Sequence, residues 1–129
     1  MQKFIPIETP LGILQGRDCI YLDDLNQNQY NYLTFKGEFS TYSIEEPHFL
    51  PYTLTFRSCI SYFACELDTY FNLSKAPVKA SFVLIENSKW LKKLPIREDY
   101  PKSHYKHYRI YTYDVVYDII ATGYELKLE

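Results

Sequence analysis

The chain has 129 residues, 14 Lys and Arg against 16 Asp and Glu for a formal net charge of −2, and 23 aromatic residues of which 14 are Tyr. With 47% hydrophobic and 23% charged residues it lies far from the composition of disordered chains, and its length suits one domain spanning residues 1–129 that buries a core without disulfide staples. No apolar run approaches the roughly 18 residues a membrane helix needs, and the N-terminal MQKFIPIETPLGILQG lacks the apolar stretch of a secretion signal.

The expectation is therefore a cytoplasmic protein with no membrane segment. Cys19, Cys59 and Cys65 are odd in number and carry no metal-ligand spacing, which suits reduced thiols. Gly12-Ile13-Leu14-Gln15-Gly16 has too few glycines, and no Lys or Ser/Thr in register, to cradle a phosphate. Residues 19–24 and 30–36 are rich in aromatic and β-branched side chains and flank the loop-forming Asn26-Gln27-Asn28-Gln29, so they are predicted to pair as a hairpin. The longest alternating run places Leu54, Phe56, Ile60, Tyr62 and Ala64 on one side and Thr55, Arg57, Cys59 and Ser61 on the other, the period of a half-buried strand.

At the end of that run Glu66 and Asp68 are two residues apart and are expected to point the same way, as carboxylates do when they share a proton or a cation. A solvated strand end accounts for them better, since paired-carboxylate chemistry also needs a lined cleft. Val78, Ala80, Phe82 and Leu84 alternate with Lys79, Ser81, Val83 and Ile85, which predicts a central strand. A short helix is expected next, capped by Asn87 or Ser88, running through Lys89–Leu94 and stopped by Pro95, with Trp90 and Leu94 packed on a sheet.

Residues 102–113 interleave Lys102, Lys106 and Arg109 with His104, His107, Tyr105, Tyr108, Tyr111 and Tyr113. This is the composition of a surface on which nucleobases stack and phosphates meet cations. The acidic isoelectric point of about 5.9 and the ordinary use of Tyr in strands argue against a nucleic-acid partner. His104 and His107 fall on opposite faces of a strand, and His48 is the remaining imidazole, so no metal and no cofactor are expected. For residues 114–121 a helix competes, but the β-branched content favours a strand ending at Gly123.

Charge is uneven along the chain. Residues 75–109 hold nine bases against three acids, while residues 1–46 hold seven acids against three bases. A coherent basic face over 75–109 would steer an acidic partner.

The strings Asn87-Ser88-x-Trp90-Leu91, His107-Tyr108-x-Ile110-x-Thr112-Tyr113-Asp114 and Asp118-Ile119-Ile120-Ala121 resemble small bacterial single-domain proteins of the immunity-protein type. The resemblance covers residues 54–124. It implies a bacterial cytosolic binding module that guards a cell against a toxin, and it carries over no site residue.

The expected fold is mainly β, a single antiparallel domain as a curved sheet or sandwich with one short helix; α+β is the alternative. The expected function is non-enzymatic protein binding, with Arg109, Tyr111 and Tyr113 as anchors and Lys92 and Lys93 at the rim. A small-ligand-binding or hydrolytic enzyme using Glu66/Asp68, or a nucleic-acid module through residues 102–113, are the alternatives.

Overall fold

The computed structural model describes residues 1–16, 18–40, 49–66 and 79–129. Two antiparallel sheets face one another. The first has the order β1-β8-β9-β10-β7, from β1 (Lys3–Pro6), β8 (Phe82–Glu86), β9 (Lys106–Tyr111), β10 (Val115–Ala121) and β7 (Ser61–Glu66). The second has the order β11-β6-β5-β4, from β11 (Gly123–Leu128), β6 (Phe49–Arg57), β5 (Leu33–Ser40) and β4 (Ile20–Gln27). A two-stranded ribbon, β2 (Glu8–Thr9) with β3 (Gly12–Ile13), lies between β1 and β4 in the chain. Helix α1 (Lys89–Lys93) follows β8, and a 3-10 turn spans Lys102–His104. The mainly β expectation with one short helix is met.

Alternation decides which side chains fill the space between the sheets. Leu33, Phe35 and Phe39 of β5 and Tyr52, Leu54 and Phe56 of β6 meet Phe82, Tyr108, Ile110, Tyr117 and Ile119 of the first sheet in one buried cluster. Aromatic edges interlock across the gap: Phe35 meets Tyr117 at 5.1 Å between ring centroids and Phe56 meets Tyr108 at 5.3 Å. The outward face of the second sheet carries Thr34, Lys36, Thr53, Thr55, Glu125 and Lys127, half-buried or exposed, as a solvated face requires.

The predicted hairpin forms, with β4 pairing β5 from Ile20↔Phe39 to Gln27↔Leu33 around a bulge between Leu22 and Asp24. At that bulge the backbone of β4 closes over Gly37, where a Cβ would lie 1.9 Å from the Tyr21 carbonyl oxygen. Position 37 faces the core, yet only glycine leaves room for this approach.

The single long strand expected over residues 54–64 is instead two. Ser58 adopts φ 52°, and the chain turns there from β6 in one sheet to β7 in the other. Beside it β10 passes into β11 at Thr122, whose N–H and hydroxyl both donate to the Arg57 carbonyl at 2.9 and 3.0 Å. Tyr62 and Ala64 lie opposite core-facing Ile119 and Tyr117 in the ladder, yet both are exposed, and Cys59, expected on the outer side, is buried in the core. Periodicity alone could not show the bend.

Residues 115–121 are a strand, as the β-branched content predicts, but β9 does not run unbroken into β10. Thr112 turns the chain, its hydroxyl donating to the Val115 carbonyl at 2.7 Å and accepting from the Val115 N–H at 3.1 Å. Phe82–Glu86 (β8) give the predicted central strand, and Val78 lies outside the described residues.

Candidate functional site

The outward face of the first sheet carries a buried polar chain. Ser88 is the cap of α1, its Oγ accepting from the Leu91 N–H at 3.1 Å. The same oxygen lies 2.7 Å from His107 Nδ1 on β9. His107 Nε2 lies 2.6 Å from Asp118 Oδ1 on β10, and Arg109 Nε donates to that oxygen at 2.8 Å. The Arg109 Nη1 donates onward to the Tyr111 hydroxyl at 3.3 Å.

His107 and Arg109 share a face because they are two residues apart on one strand, and Asp118 lies opposite Arg109 in the ladder. Burial alone would raise the Asp118 pKa, but hydrogen bonds from His107 and Arg109 together with the guanidinium charge hold it below the usual carboxylate value. Burial would lower the pKa of Arg109, and the Asp118 carboxylate overrides it, so the guanidinium is held charged. With Asp118 ionised and able only to accept, the His107 Nε2 carries the proton of that bond.

Ser, His and Asp in this order are the residue types of a nucleophilic relay. The surroundings give them a different task. Ser88, His107 and Asp118 are 3%, 4% and 1% exposed, the serine oxygen already caps a helix, and Arg109 shares the carboxylate oxygen. The chain of bonds fastens α1 to the middle of the sheet, and the Trp90 ring completes it by standing edge-on to His107 at 5.2 Å and Phe63 at 5.3 Å. Trp90 thus packs on the sheet as predicted, on its outer face.

A groove of about 600 Å³ runs between α1 and the 3-10 turn, past the end of β8. Leu84, Ile85, Leu91 and Tyr105 supply its apolar walls, and Lys92, Lys102 and Lys106 stand along it with Glu86 as the one acid. The two walls are tied together where Lys102 Nζ donates to the Lys92 carbonyl at 2.9 Å.

At the other end of β9 is an aromatic cluster. The Tyr113 N–H donates to the Ile20 carbonyl at 2.9 Å, which seats the residue beside β4. Its ring stacks on Tyr21, centroids 5.3 Å apart at 21°, and Tyr21 meets the edge of Phe49 at 5.8 Å. Tyr113 is 43% and Phe49 57% exposed. Two further exposed rings, Tyr30 and Tyr32, stand on the β4–β5 loop, whose backbone is organised by the Asn28 carboxamide oxygen accepting from both of their N–H groups.

Of the residues expected to bind a partner, the structure places Tyr113, Lys92 and Lys93 at the surface and packs Arg109 and Tyr111 into the covered chain on the outer face of the first sheet, the former in the ion pair with Asp118 and only 15% exposed. Glu66 ends β7, and Asp68 lies outside the described residues, as does His48. His104 is exposed in the 3-10 turn while His107 is buried, so the two do not meet. Among the described residues no group of His, Cys, Asp and Glu is placed to hold a metal, and no helix is long and apolar enough to cross a membrane. The buried relay was legible in one respect, since Asp118 interrupts an apolar strand, VVYDIIA, where an unpaired charge is costly. Tyr21 and Phe49, distant in sequence from Tyr113, left no signal. Neither a family model, nor a curated protein, nor a solved structure matches the chain.

Proposed function

We propose that this chain is a non-enzymatic bacterial protein-binding domain of the cytoplasm, acting as an immunity protein does by covering the working surface of a toxin. The observation that carries the reading is the Tyr21–Tyr113–Phe49 cluster: three rings in mutual contact, Tyr113 seated beside β4 by a backbone hydrogen bond, and two of the rings substantially exposed. Pre-ordered tyrosines of this kind give large contact area at little conformational cost and are the commonest anchors of protein interfaces. Lys92 and Lys93, exposed on α1, suit a role in steering rather than anchoring.

Two observations favour a protein over the alternatives. The rings of residues 102–113 that would have stacked nucleobases are mostly covered, Tyr105, Tyr108 and Tyr111 all being buried. The most enzyme-like constellation, Ser88–His107–Asp118, is closed to solvent and spent on holding α1. Cys19 and Cys59 are buried free thiols, which suits a reducing compartment.

The test is photo-crosslinking from a benzophenone side chain at position 113 in the native cell, followed by kinetics with the protein so identified. Tyr113→Ala should raise the off-rate about tenfold or more, the scale of an interface anchor. Crosslinks to nucleic acid alone, or an off-rate indifferent to Tyr113, would overturn the reading.

A further inference from the structure

We infer that the groove between α1 and the 3-10 turn is a second docking site, for an acidic segment of a protein partner that carries a large apolar side chain. The inference rests on the protein-binding reading and adds the chemistry of one partner element. Its walls are apolar, from Leu84, Leu91 and Tyr105, and its charged groups are Lys92, Lys102 and Lys106 against Glu86. A volume of about 600 Å³ is ample for one or two buried side chains.

Charge complementarity selects the occupant. Three ammonium groups and one carboxylate leave the groove net positive, so an anionic chain is drawn in and a basic one repelled. The apolar walls discriminate among anions. A bare phosphate or a sugar-phosphate backbone would leave Leu84 and Leu91 wet and finds no ring to stack on, since Tyr105 is 8% exposed. An acidic peptide with a leucine or phenylalanine covers the apolar surface while its carboxylates reach the lysines.

The groove is also ready-made. Ser88 is fixed by His107 and through it by Asp118, which sets the position of α1, and Lys102 closes the far side onto the helix end through the Lys92 carbonyl. That bond uses one of the three ammonium protons and leaves two for a ligand. With both walls tethered before binding, the groove loses less entropy when filled than an untethered one would.

The test is selection of a displayed library of random short peptides on three forms of the whole chain: wild type, the Lys102→Glu/Lys106→Glu double variant, and Lys36→Glu, a charge reversal on the outer face of the opposite sheet. Circular dichroism first checks that all three fold alike. Wild type and Lys36→Glu should enrich the same peptides, acidic with one large apolar residue, and the groove variant should bind those peptides about tenfold more weakly. Tighter binding of a single-stranded oligonucleotide than of the selected peptides, enrichment of neutral or basic peptides, no enrichment, or equal binding by the groove variant would each overturn the inference. The outcome is separable from that of the parent reading: a protein crosslinked at position 113 together with a failed selection removes the groove and leaves the domain a protein binder.

Discussion

Replacing Asp118 by Asn keeps the shape of the side chain and removes the charge that serves Arg109 and His107 together. Asp118 is 1% exposed and the Arg109 side chain 15%, at 2.8 Å, so the variant strands a guanidinium that water reaches poorly. Breaking one side of such a buried pair costs about 3–5 kcal/mol, and the Asn oxygen recovers about 1 kcal/mol by keeping one hydrogen bond. The net expectation is a loss of about 2–4 kcal/mol, which at a urea slope of about 1.5 kcal/mol per molar moves the unfolding midpoint down by roughly 1.3–2.7 M. The control is Arg109→Met added to Asp118→Asn. With the stranded charge gone, the double variant should be no less stable than the single one, a coupling of about 1–3 kcal/mol between the two positions. A loss below about 1 kcal/mol for Asp118→Asn, or strictly additive losses, would refute the claim that this ion pair holds the face of the sheet together.

Further outcomes follow from the same geometry. Because the folded protein holds the Asp118 pKa below its unfolded value, the carboxylate contributes stability that is full above the ordinary carboxylate pKa of about 4 and is lost as the pH falls through the lower folded value; urea midpoints measured downward from pH 5 should drop more steeply in the wild type than in Asp118→Asn. Gly37→Ala should cost at least about 2 kcal/mol in the same assay, since its Cβ would press on the Tyr21 carbonyl; a neutral effect would show that the bulge yields. Thiol titration in denaturant should count all three cysteines, and under native conditions Cys59, whose pKa burial pushes up to about 11, should react far more slowly than Cys65. Reversing the charges of Lys92 and Lys93 should lower the partner's on-rate and its salt dependence with little change in off-rate.

Much of the architecture was legible because alternation reports directly which side chains meet between sheets. Leu54 and Phe56 declare themselves inward by period alone, and Ser88 and Pro95 bracket α1 by cap and breaker chemistry. What stayed hidden were the places where direction changes without a change of period. Ser58 turns a strand from one sheet to the other with no Gly or Pro, and Thr112 makes the β9–β10 turn with its own hydroxyl. The site was less legible, for a related reason. Arg109 was expected at the surface because charge and planarity suit an interface, but register places it opposite Asp118, and a buried carboxylate claims the nearest guanidinium. Tyr21 and Phe49 join Tyr113 only through strand pairing, which no local pattern records.

A molecule that works by covering another protein should silence that partner in proportion, so the decisive readout is a titration of the partner's own activity. Increasing amounts of the whole chain are added to the protein crosslinked at position 113, and that protein's activity is followed. Inhibition complete at one chain per partner, and shifted to higher concentration by Tyr113→Ala, is the expected result. Activity unchanged at saturating chain, or inhibition that proceeds catalytically at a small fraction of one equivalent, would contradict it.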